Sequence, residues 1–153
     1  MHRFMSNYFE SGLGFKLRYE STSTALMTTN KTGQCGGIFF TPNGTFTSPS
    51  YPDNYPNSAY CIYTISQPTG TVILLSILDM EIDAYTDYYD YYVDNEYYGH
   101  YHQYGGVTCM YDSLEFRDGA SDQSPLIDGY CGNGTALSLP IHIQTTQNNV
   151  WIR

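Results

Sequence analysis

What most constrains this chain is the rhythm of its β-prone runs. Residues 60–65, 71–77, 113–117, 141–145 and 150–153 are short and rich in Val, Ile, Leu, Tyr and Thr. Clusters of Gly, Pro, Asn and Asp bound them at short spacing. No segment sustains a 3.6-residue apolar period over three or more turns, so the pattern encodes no long amphipathic helix. An all-β fold follows, and short strands punctuated by turns in this way form a sandwich. With 153 residues the chain is one domain's worth of material, enough to bury a sizeable core.

Composition narrows the partners. Acidic residues outnumber basic ones 15 to 6, for a net charge of −9. Nucleic-acid affinity comes largely from clustered Lys and Arg, so this balance excludes a phosphate-backbone binder. It equally disfavours an anionic membrane surface and suits cations, either metal ions or basic side chains of another protein. Aromatic residues make up 16% of the chain, 17 of them Tyr, a content that excludes a disordered chain. No apolar run reaches the ~18–20 residues of a membrane span; the longest, residues 72–78, is interrupted by Ser76.

Three sequons, at Asn30, Asn43 and Asn133, are candidate N-glycosylation sites. The four cysteines, Cys35, Cys61, Cys109 and Cys131, form no Cys-x-x-Cys pair, and four cysteines allow three pairings. Paired cysteines with several sequons point to an extracellular, secreted or cell-surface chain. Residues 1–12 lack the apolar core of a secretory signal, so the sequence reads as a segment of something longer. A Ser- and Thr-rich stretch, residues 20–34, reads as an extended linker between a short N-terminal block and the main body.

From Cys35 onward the motifs become specific. Cys35-Gly36-Gly37 is followed by Asn43-Gly44-Thr45-Phe46-Thr47-Ser48-Pro49, Tyr51-Pro52-Asp53-Asn54-Tyr55-Pro56 and Cys61. Then come Asp79-Met80-Glu81, Cys109-Met110-Tyr111-Asp112-Ser113-Leu114-Glu115-Phe116-Arg117-Asp118-Gly119, Tyr130-Cys131-Gly132 and Asn149-Val150-Trp151-Ile152-Arg153. In this order, residues 35–153 resemble a CUB domain. The resemblance implies an extracellular jelly-roll β-sandwich with two disulfides, Cys35 to Cys61 and Cys109 to Cys131. Each bridge would close a loop worth roughly 3–4 kcal/mol in chain entropy.

A CUB domain continues past the Trp-Ile-Arg sequence with a Ser-Asp turn and a last strand, and residues 1–19 resemble that missing end. Arg3-Phe4-Met5-Ser6-Asn7 precedes Gly12-Leu13-Gly14-Phe15-Lys16-Leu17-Arg18-Tyr19. Three arrangements follow from this order. Residues 1–19 belong to a preceding repeat of a tandem array, or are donated to a neighbouring molecule, or fold back across the linker to complete their own domain. The expectation favours the first two, with neighbouring copies or repeats as partners and a filament as the product.

Catalysis has little support. The sequence has no Gly-x-Ser-x-Gly elbow, His-Glu-x-x-His helix or phosphate-cradling Gly-rich loop, and no enzyme is expected. His142 alternates with Ile141 and Ile143, a strand position pointing outward, and the pair His100 and His102 is too small a set for a transition-metal site. The resemblance implies a calcium site instead, with Glu81 and Asp112 as carboxylate ligands and Asn7 where the family has Asp. Hard oxygen donors suit Ca²⁺, and a lost carboxylate implies weak binding, about 10⁻⁴–10⁻³ M. Such acidic ends receive a Lys or Arg from a partner, for which Arg3, Lys16 and Arg18 are candidates.

The departure from the family pattern is an insertion, residues 82–108, which holds nine of the tyrosines. Tyr88, Tyr89, Tyr91, Tyr92, Tyr97, Tyr98 and Tyr101 are candidate contact residues, because Tyr offers large area at low side-chain entropy. Two functions are in view. One is assembly of a glycosylated fibre or surface coat through strand completion and the Tyr-rich loop. The alternative is a calcium-dependent module of a receptor or secreted protease that recognises an extracellular protein or glycan.

Overall fold

A computed structural model describes residues 11–22, 28–84, 102–104, 107–109, 111–133 and 137–153. The N-terminal half contributes β1 (Gly14–Ser21), β2 (Thr28–Gly33), β3 (Gly37–Phe39), β4 (Asn43–Pro49), β5 (Tyr63–Ser66) and β6 (Ile73–Ile82). The rest contributes β7 (His102–Tyr104), β8 (Val107–Cys109), β9 (Leu114–Asp118), β10 (Leu126–Tyr130), β11 (Gly132–Asn133), β12 (Ile141–Gln144) and β13 (Asn149–Ile152). Among the described residues there is no helix, and each of the five β-prone runs contributes a strand, β5, β6, β9, β12 and β13.

Two sheets make the sandwich. One has six strands in the order β11-β6-β1-β4-β2, with β12 also paired to β6; the other runs β10-β9-β13-β5-β3. The short β7-β8 pair forms a third, two-stranded sheet at the end of the Tyr-rich insertion. Both disulfides are formed, Cys35 to Cys61 and Cys109 to Cys131. The seven contact tyrosines at positions 88 to 101 and Asn7 lie outside the described residues.

The placement of β1 organises everything else. It runs antiparallel between β4 and β6 of its own chain, with Leu17 opposite Phe46 on one side and Ile77 on the other. Phe15, Leu17 and Tyr19 point inward and are fully buried, while Arg18 and Glu20 face solvent, the period-2 alternation of a half-buried strand. This pairing is the third of the arrangements open to residues 1–19. Here the chain carries both the strand and the gap it fills.

A second difference lies in the stretch read as linker. Thr28–Gly33 is a strand that pairs parallel to β4, with Asn30 opposite Thr45. Its β-branched threonines favour extended backbone, and β4 offers an edge, so a segment that composition marks as a tether takes a place in the sheet.

The core is an aromatic stack that joins the sheets. Phe46 lies 4.8 Å from Phe39 and 4.8 Å from Tyr63 between ring centroids, both stacked. Phe15 meets Tyr63 edge-on at 5.9 Å, and Tyr19 meets Phe39 at 5.8 Å. Aromatic pairs of this geometry add about 0.5–1.5 kcal/mol each beyond their buried area. On the outer face of the second sheet Glu115, fully buried, is held between Arg117 and the equally buried Arg153. Burial pulls the Arg153 guanidinium down to about 10.

Tyr63 makes the core sensitive to alkali. Its hydroxyl donates to the Gln34 carbonyl at 2.8 Å, and burial pushes the phenol up to about 12. The fold favours the neutral form, so the stability Tyr63 lends is complete below its ordinary value of 10.0 and drains away as pH rises toward about 12. Denaturant unfolding followed from pH 8 upward is expected to show a steep loss across that window, which Tyr63→Phe is expected to make shallower, the buried Tyr19, Tyr55 and partly buried Tyr130 supplying the rest.

Candidate functional site

The candidate site is the end of the sandwich where β1 begins and β6 finishes. The chain enters it through Gly12-Leu13-Gly14. Gly14 sits at φ +88°, and a Cβ there would come within 1.9 Å of Ser48 Oγ. That hydroxyl accepts the Phe15 N–H at 3.0 Å, so glycine is required for the strand to enter so close to β4. Gly12 lies against the carbonyl of Glu81, where a Cβ would meet oxygen at 2.1 Å.

Four segments converge at this end around Tyr55 and its neighbour Asn54. The Tyr55 N–H donates to the Gly12 carbonyl at 3.1 Å, and Asn54 Nδ2 donates to the Ser11 carbonyl at 3.0 Å. The Tyr55 hydroxyl donates to Asp112 Oδ2 at 2.6 Å and accepts the Asp83 N–H at 3.1 Å. The ring is almost wholly buried. Burial, and then the hydrogen bond to Asp112, raise the Tyr55 phenol far above its ordinary range, so it stays a proton donor to the carboxylate.

Of the sequence-derived ligands, Asp112 is fully buried and Glu81 is half-buried at the end of β6. Glu81 pairs with Gly14 on one side and Asn133 on the other. Asp83, two residues further on, reaches the same tyrosine hydroxyl that Asp112 accepts from. The structure thus brings the Glu81 strand and Asp112 to one end of the fold. Among the described residues no three His, Cys, Asp or Glu side chains are grouped as a metal site. The donor chemistry still fits a hard cation, since carboxylates dominate this end.

Tyr55 is the residue that a list of charged ligands passes over. The Asn-Tyr-Pro motif that contains it was a signal, but nothing in the sequence ties its hydroxyl to a carboxylate 57 positions away. His142 is exposed as its alternation implies, with Nδ1 at 3.0 Å from Ser76 Oγ. His102 falls in β7, for which backbone pairing alone is described. Among the sequons, Asn30 and Asn133 are exposed and Asn43 is half-buried.

Tyr55→Phe tests the clamp. It removes a hydrogen bond to a buried carboxylate while keeping the ring, and is expected to cost about 1.5–3 kcal/mol of stability by denaturant unfolding. A cost below about 0.5 kcal/mol would mean that Asp112 is held by its other contacts alone.

Comparison with known proteins gives this architecture its relatives. The CUB domain family matches residues 35–107 and 100–153, two segments that meet inside the Tyr-rich insertion. Neuropilin-1 of Xenopus laevis is 35% identical over 133 residues, covering 87% of this chain and 12% of that protein. Human neuropilin-2 is 34% identical over 139 residues, 90% of this chain and 12% of that protein. Human cubilin is 30% identical over 147 residues, 96% of this chain and 3% of that protein. The chain therefore spans about an eighth of the neuropilins and a far smaller part of cubilin. These relatives are extracellular or cell-surface proteins, and no described helix is long and apolar enough to cross a membrane. With its sandwich, its two disulfides and its motif order, the chain belongs to the CUB domain family.

Proposed function

We propose that this chain is a non-enzymatic extracellular recognition module that presents its acidic end to a basic side chain of a protein partner, with a weakly held Ca²⁺ as organiser. The observation that carries the proposal is the Tyr55 clamp. The Tyr55 hydroxyl fixes the buried Asp112 carboxylate at the end where Glu81 and Asp83 also lie, which gathers oxygen donors there. The net charge of −9 favours a cationic partner at long range.

In this proposal Glu81 and Asp112 supply oxygen ligands, with Asn7 as the third donor carried over from the family pattern. Calcium when bound supplies a fixed positive charge that orients the carboxylates, and the chain's own groups do the remainder. Tyr55 fixes Asp112, and Gly12 lets the chain entering β1 lie close against the Glu81 carbonyl of β6. A fibre built by strand completion needs β1 in a neighbouring chain; β1 instead closes its own sheet, which supports recognition over assembly.

Thermal unfolding in 10 mM CaCl₂ against EDTA tests the calcium reading. A dissociation constant of about 10⁻⁴–10⁻³ M implies a gain of about 1.4–2.7 kcal/mol at that concentration, or a Tm rise of roughly 3–10 °C for a domain this size. Glu81→Ala is expected to abolish the rise while leaving the Tm in EDTA nearly unchanged. An unchanged Tm on calcium addition to the wild type would overturn the site.

A further inference from the structure

Two of the three sequons share one face of the fold. Strand alternation turns Arg18 and Glu20 of β1 outward on the six-stranded sheet, and register sets Arg18 opposite Thr45 and Glu20 opposite Asn43. On the other side of β4, Asn30 of the parallel strand β2 stands opposite Thr45. The consequence is a groove of about 310 Å³ lined by Arg18, Tyr19, Glu20, Asn30, Asn43, Gly44 and Thr45. Both sequon asparagines border it, and Thr45 is the hydroxyl residue of the Asn43 sequon, kept on the same face by the two-residue period.

The groove surface is polar and apolar in about equal measure, and its charged groups are unspent. Among the described residues neither Arg18 nor Glu20 enters an ion pair, and both are exposed. Donors from a guanidinium, acceptors from a carboxylate and a threonine hydroxyl, all facing one cleft, match the hydroxyl and acetamido groups of a sugar. An N-linked sugar on Asn43 begins inside that cleft, so its first residue pays little further entropy to dock there.

We propose that Asn43 and Asn30 are N-glycosylated and that the first N-acetylglucosamine on Asn43 is seated in this groove against Arg18 and Glu20. The donor is a polyprenyl-diphosphate-linked oligosaccharide of the secretory pathway. Asn43 Nδ2 takes C1 of the sugar, the C1–O bond to the diphosphate breaks, the diphosphate leaves with the electron pair, and the amide gives up one proton. The seated sugar covers the outer face of the six-stranded sheet, and protein contacts are directed elsewhere.

The test uses the full chain secreted from mammalian cells. Peptide mass mapping after amidase treatment, which converts each formerly glycosylated Asn to Asp, is expected to mark Asn43 and Asn30. Trimming the glycans to a single N-acetylglucosamine with an endoglycosidase is expected to leave Tm unchanged, because the seated residue remains. Complete removal is expected to lower Tm by about 2–4 °C. In Arg18→Ala and in Glu20→Ala, two exposed positions, that difference is expected to shrink to less than half. An unmodified Asn43, or a loss on complete removal that is equal in wild type and both variants, would overturn the proposal.

Discussion

The structure depends on one pairing, the insertion of β1 between β4 and β6. Without β1 the six-stranded sheet falls into two pieces, β4 with β2 on one side and β6 with β11 and β12 on the other. Its three inward side chains, Phe15, Leu17 and Tyr19, are fully buried. Removing side chains of this size from water is worth roughly 1.5–3 kcal/mol each. Phe15 and Tyr19 also make edge contacts with Tyr63 and Phe39 of the opposite sheet, so β1 helps join the two layers as well as filling one.

The acidic end depends on the same event. Gly12 gives its carbonyl to Tyr55, Gly14 pairs with Glu81, and Tyr55 in turn holds Asp112 and Asp83. Seating the strand and arranging the carboxylates are therefore coupled. A chain that has not closed its sheet lacks the anchor for Tyr55, and the Asp112 carboxylate loses the geometry that would let it serve a cation or a basic side chain. On this view the recognition end reports the completeness of the fold.

Much of this was legible in the sequence, for identifiable reasons. Runs such as residues 141–145 and 150–153 announce strands because apolar and polar positions alternate between turn residues, and the motif order fixed the cysteine pairing through the family resemblance. Glu81 and Asp112 were named through the family resemblance, and both lie at one end of the sandwich. Tyr55 was not, because its role arises from a hydrogen bond across 57 positions, a contact that local patterning cannot encode. Strand β2 was missed because Thr and Asn composition suits linkers as well as edge strands, and its partner β4 makes the choice. The destination of β1 was the hardest to read. The strand's alternation shows that it pairs with something, and register within one sheet shows with what.

The central claim is that β1 closes the sheet of the chain that carries it. Arg18 and Thr45 face each other across β1 and β4 on the solvent side. Directly opposed strand residues bring Cβ atoms about 4.5–5.5 Å apart, and a small backbone adjustment brings them to the roughly 3.5–4.5 Å of a disulfide. In the Arg18→Cys, Thr45→Cys variant, oxidised at low micromolar concentration and run under denaturing, non-reducing conditions, the account gives a bridge within a single chain and a product of monomer mass. Bridges that join chains into dimers or ladders would contradict it and place β1 in a neighbouring molecule.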